Sequence, residues 1–139
     1  MPDFAPGSED LGRTVERLAD RLRTLAETRL ARPPRGDGDP SQAGRASLAD
    51  RAHRLAQSLA DAEQGICERA AEQAPRWRTV PRLGDLAVGD QVAVTGKDLA
   101  AACVGLGTDE PVWTRTGPAA ASAVLARALA DVRELARLV

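Results

Sequence analysis

The stretch Ser47–Glu72, SLADRAHRLAQSLADAEQGICERAAE, decides the fold. Within it Leu48, Ala52, Leu55, Leu59, Ala62 and Ile66 recur at alternating spacings of four and three. That is the a/d rhythm of a helix that buries one narrow seam against other helices. Asp50, Arg51, Arg54, Asp61, Glu63, Glu68 and Arg69 occupy the faces between and belong in water. Two further stripes keep the rhythm. Upstream stand Leu11, Val15, Leu18, Leu22 and Leu25, and downstream Ala121, Leu125, Ala128, Val132, Leu135 and Val139.

Working outward, residues 1–8 read as a flexible lead-in with two prolines and a glycine, and residues 9–139 as a single domain. Ser8 suits an N-cap, with Glu9 and Asp10 favourable in the first turn. The first helix is expected from residue 9 to Arg32, where Pro33-Pro34 stops it. Arg35 to Pro40 reads as a polar loop; its Arg-Gly-Asp triplet lacks the secretion signal that integrin binding would need. The second helix is expected from Ser41 to Ala74, on the order of 50 Å long. The first two helices would then form an antiparallel hairpin, with the end of the second overhanging. Pro75–Leu83 is a basic connector in which Arg76, Arg78 and Arg82 surround Trp77.

Residues 85–106 allow two readings. Gln91–Thr95 could be a short strand followed by a helix capped by Thr95 and Asp98. Alternatively Val88, Val92, Thr95, Leu99, Ala102 and Leu106 continue the four-three rhythm in one helix over 86–105, at a cost of about 1 kcal/mol for each of Gly89 and Gly96. A strand would lack a partner, which favours the helix. Thr108–Gly117 reads as a loop holding Trp113, and Pro118 as the first position of the last helix. The expected fold is all-α: an up-down four-helix bundle built on the long helical hairpin.

Composition supports helices. The apolar residues are mostly Ala, Leu and Val, with Phe4, Trp77 and Trp113 the only aromatics. Net charge is −1 with both signs interspersed, which does not suit a nucleic-acid binder. Only Lys97 of the nineteen basic residues is lysine, the mark of a GC-rich genome. No segment is apolar enough for a membrane span and Met1–Gly7 has no signal-peptide pattern, so a cytoplasmic location with reduced thiols is expected.

The run Leu86-Ala-Val-Gly-Asp-Gln-Val-Ala-Val-Thr-Gly-Lys-Asp-Leu99, downstream of an Arg/Leu/Ala helical hairpin, resembles small uncharacterised actinobacterial helical proteins. The resemblance implies no activity, cofactor or catalytic residue.

Site chemistry is sparse. Gly96-Lys97 lacks the spacing and the Ser/Thr of a phosphate loop, and Asp98 follows. Asp50 and His53 stand i, i+3, but His53 is the only histidine, so no metal site is expected. Cys67 beside Glu68 would have its thiolate disfavoured, and Cys103 reads as a small core residue. No catalytic, cofactor or metal residue is assigned, and the chain is expected not to be an enzyme. Tryptophan and arginine are enriched at interaction hot spots, so Ile66, Arg76, Trp77, Arg78 and Trp113 are the expected partner-binding residues, with the partner placed at the surplus end of the second helix from Ile66 to Ala74 leading into Trp77. The other reading of each tryptophan is a ring that caps one end of the bundle core. The expected function is a non-catalytic helical interaction protein, a homodimer or the partner of another helical protein through a heptad seam. The alternative is a transcription-linked regulator, an anti-sigma-like or ligand-sensing bundle whose loop arginines hold a partner or nucleotide.

Overall fold

A computed structural model describes residues 8–34 and 46–139. Its helices are α1 (Ser8–Thr24), α2 (Glu27–Leu30), α3 (Leu48–Cys67), α4 (Val88–Ala102) and α5 (Ala121–Leu138). A short hairpin of β1 (Pro111–Thr114) and β2 (Gly117–Ala120) precedes α5. Of the expected lead-in over residues 1–8, Ser8 opens α1 and the rest lies outside the described residues, as do the Arg35–Pro40 loop and the helix start at Ser41.

The packing is that of a helical bundle. Leu11, Val15, Leu18 and Leu22 of α1, Leu48, Leu55, Leu59 and Ile66 of α3, Val88, Val92 and Leu99 of α4, and Leu125, Val132 and Leu135 of α5 share one core. A fully buried leucine contributes about 2 kcal/mol, so these stripes supply the main driving force for folding. The α3 seam is wider than expected, because Ala49, Ala56, Gln64 and Gly65 are buried beside it. Ser47 caps α3, its hydroxyl accepting the Asp50 N–H at 3.0 Å.

Helix directions follow from the ion pairs and close contacts. Arg23 near the end of α1 meets Asp90 near the start of α4 at 2.7 Å, and Gly12 lies against Ala100. These two helices are therefore antiparallel. Arg82 binds both Asp50, at the start of α3, and Asp85, just before α4. So α3 and α4 begin at the same end and run parallel. Arg21 donates to the carbonyls of Ala136 and Val139, and Arg29 to that of Leu138, which brings the ends of α1 and α5 together.

Three expectations are corrected here. Both α4 and α5 pack on α1 and on α3, whereas α1 and α3 do not lie side by side. The expected hairpin of the first two long helices is thus split by α4. Strict up-down alternation is not kept either, because the connector returns the chain to the start of α3 before α4 begins. And α3 ends at Cys67 instead of Ala74. The chain leaves the helix through turns closed by Arg69 N–H to the Ile66 carbonyl and Ala71 N–H to the Glu68 carbonyl, and the residues beyond Pro75 run back along α3, so no length of helix overhangs.

Two smaller differences have local causes. The first helix breaks after Thr24, whose hydroxyl donates to the Arg21 carbonyl at 2.8 Å. Ala26 is extended (φ −65°, ψ 146°), and α2 then swings Leu30 into the core. Trp113 and Pro118, expected in a loop and at a helix start, pair across the hairpin. Gly117, at φ 124°, follows the Arg115-Thr116 turn in a conformation that side chains rarely adopt.

Residues 88–102 form one helix, as the four-three rhythm implied, unbroken at Gly96. The Thr95 hydroxyl donates to the Gln91 carbonyl at 2.8 Å and caps nothing. Gly96 itself faces α1. A Cβ there would stand 2.2 Å from Val15 Cγ1, and one at Gly89 2.9 Å from Arg23 Cγ. The glycines that weaken α4 locally are what allow it to lie so close to α1.

Candidate partner surfaces

Four side chains on α3 hold the connector as an extended strap. Gln64 Nε2 donates to the Arg76 carbonyl at 2.8 Å, and its Oε1 accepts the Arg78 N–H at 3.0 Å. Gln57, two turns earlier, repeats the pattern with the Arg78 carbonyl at 2.9 Å and the Val80 N–H at 2.7 Å. His53 Nε2 lies 2.9 Å from the Val80 carbonyl, and Arg82 closes the strap onto Asp50 at 3.0 Å. From the other side Gln91 donates to the Pro81 carbonyl at 2.8 Å. An extended segment outside a sheet must satisfy its backbone polar groups elsewhere, and the side-chain amides of α3 do so here.

This strap reassigns the expected partner residues. Ile66 is 0% exposed and belongs to the core, so it offers no surface; its expected role assumed an overhang that does not exist. Arg76 and Arg78 have their backbones clamped, while their side chains are exposed. Trp77 is half-buried, with the Arg115 guanidinium 5.4 Å from its ring centroid. Arg115 is itself bound by Asp61 through two bonds of 2.6 and 3.0 Å. Trp113 sits on β1 over Gly65, where an added Cβ would stand 2.0 Å from the Trp113 carbonyl oxygen, and its indole N–H reaches the Ala71 carbonyl at 3.3 Å. The structure therefore brings Arg76, Trp77, Arg78 and Trp113 together near the end of α3, but much of the aromatic surface is spent on closing that end of the bundle.

The ionisable groups serve structure in the same way. Glu110 accepts from Arg69 at 2.9 Å and from the Gly107 N–H at 3.1 Å, which holds its carboxyl below the ordinary range. Arg82 does the same for Asp50. Cys103 is buried, which pushes its thiol up to about 11. Partial burial, and then a bond to Glu63 at 3.1 Å, raise Cys67. Among the described residues no group of three or more His, Cys, Asp or Glu could hold a metal ion. Among the same residues no helix is long and apolar enough to cross a membrane.

The feature that sequence reasoning missed is the outer face of α4. Leu83, Leu86, Val94 and Val104 are 52%, 61%, 59% and 83% exposed, and they are the exposed large hydrophobic residues among those described. All four fall on α4 and its flanks. Beside this face runs a groove of about 660 Å³ between α1 and α4, with Gly12, Val15, Ala93 and Ala100 among its lining. The signal was available: Leu86 and Val94 lie opposite the buried Val88, Val92 and Leu99, so one helix over 86–105 leaves them outside.

No family model, no curated protein and no solved structure matches the chain.

Proposed function

We propose that this chain is a helical interaction protein that buries the outer face of α4 by self-association. One observation carries the reading: the exposed large hydrophobic residues among those described are concentrated on one segment, residues 83–104. Single exposed apolar residues scattered over a surface need no explanation, but four gathered on one segment beside a groove mark a contact surface. The heptad stripes expected to meet a partner are covered by the chain's own helices, so the seam is replaced by this face. Sedimentation velocity of the purified chain from micromolar to millimolar concentration tests the reading, with Val94→Glu beside the wild type. The wild type gains mass with concentration and Val94→Glu stays at the mass of one chain. Equal behaviour of the two proteins would sink the proposal.

A further inference from the structure

The face on α4 has a pattern that selects its occupant. Leu86, Asp90, Val94, Lys97, Ala101 and Val104 follow at spacings of four, four, three, four and three, and every one is exposed. They form one stripe about 27 Å long. In order it reads apolar, acidic, apolar, basic, small, apolar.

Two copies of this stripe fit one another only in one orientation. Laid parallel, Asp90 would face Asp90 and Lys97 would face Lys97, and like charges in contact are costly. Laid antiparallel about a two-fold axis between Val94 and Lys97, Leu86 meets Val104 of the partner subunit. Asp90 then meets the small Ala101 of the partner subunit, and Val94 meets Lys97 of the partner subunit. The lysine stem covers the valine, and its ammonium reaches toward Asp90 one turn on. Both partners of that ion pair are available. Lys97 makes no ion pair among the described residues. Asp90 gives Oδ1 to Arg23 and remains 72% exposed, with Oδ2 open to a second cation. A two-fold contact repeats each interaction twice, which is the ordinary geometry of a homodimer.

We infer that the occupant of the α4 face is a second copy of this chain, docked antiparallel with Lys97 of each copy paired to Asp90 of the other. The inference rests on the proposed function and adds the orientation and the register of the two copies. Its test uses the full chain in a Cys67→Ser background, so that an introduced thiol is the exposed one. Val94→Cys places two thiols beside the axis, and a short bis-maleimide links them. Val104→Cys places them about 25 Å apart in the antiparallel register and side by side in a parallel one. The expected result is efficient linking at Val94→Cys and none at Val104→Cys. In otherwise wild-type protein, Lys97→Glu weakens dimerisation by about tenfold, and adding Asp90→Lys restores it.

Linking at Val104→Cys would overturn the register. A concentration-dependent dimer that neither cysteine links and Lys97→Glu does not weaken would overturn the inference and leave the proposed function standing. A one-chain mass at every concentration, with no difference between wild type and Val94→Glu, would overturn both.

Discussion

Replacing Gly96 by alanine separates the local preference of α4 from its packing. In an isolated helix the change would stabilise by about 1 kcal/mol. In the protein the new methyl group would stand 2.2 Å from Val15 Cγ1, 2.9 Å from Cγ2 and 3.0 Å from Cβ. Rotating Val15 cannot relieve this, because both γ-carbons and the branch point are struck. The helices must move apart, and overpacking of this kind costs about 1–3 kcal/mol. The net expectation is destabilisation by up to about 2 kcal/mol. Val15→Ala alone removes two buried methyl groups and costs about 2 kcal/mol with its cavity. In the double variant the methyl group added at position 96 fills part of that cavity, so the two changes should offset each other by about 1–2 kcal/mol. Urea denaturation followed by circular dichroism gives the four stabilities of the cycle. Additive changes, or a Gly96→Ala protein more stable than wild type, would refute the close approach of α1 and α4.

Gly65→Ala should be worse, by about 3 kcal/mol or more, because the obstruction is the Trp113 backbone at 2.0 Å and no side chain can give way; tryptophan fluorescence should report the displaced hairpin. Gln64→Ala removes both bonds to the strap and should cost about 1–3 kcal/mol, with faster tryptic cleavage after Arg76 and Arg78; an unchanged cleavage rate would mean the clamp does not hold the connector. Asp50 and Glu110 are held below the ordinary carboxylate range by Arg82 and Arg69, so their contribution is complete above about pH 5 and is lost progressively as pH falls further. The melting temperature should drop with acidification, and less steeply in Glu110→Gln. Iodoacetamide at neutral pH should label Cys67 more slowly than a free thiol and leave Cys103 untouched, since both thiols are shifted upward; fast labelling of either would point to an activated cysteine.

The helical class and its core were legible because periodicity reports what a helix buries. The α1 and α5 stripes follow from spacing alone; the single helix over 88–102 follows from spacing together with the lack of a partner for a strand there. The parallel run of α3 and α4 was not legible. It depends on how Gln57, Gln64 and His53 hold a strap, and polar residues on a helix flank look the same whether they meet water or backbone. The glycines of α4 read as local costs because their benefit lies on α1. The hairpin left a trace in Val112, Trp113 and Thr114 ahead of Thr116-Gly117, but four-residue strands carry too little pattern to outweigh a loop reading. Ile66 was misplaced for one reason, the assumed length of its helix.

The face assigned to association can be located directly by a dilution series of amide nitrogen–proton spectra on the isotope-labelled chain. If the outer face of α4 is the contact, the shifts that move with concentration belong to Leu86, Asp90, Val94, Lys97, Ala101 and Val104 and their neighbours in the α1 groove. Shifts confined to Arg76–Arg78, Trp113 and Arg115, or spectra that do not change with concentration, would contradict it.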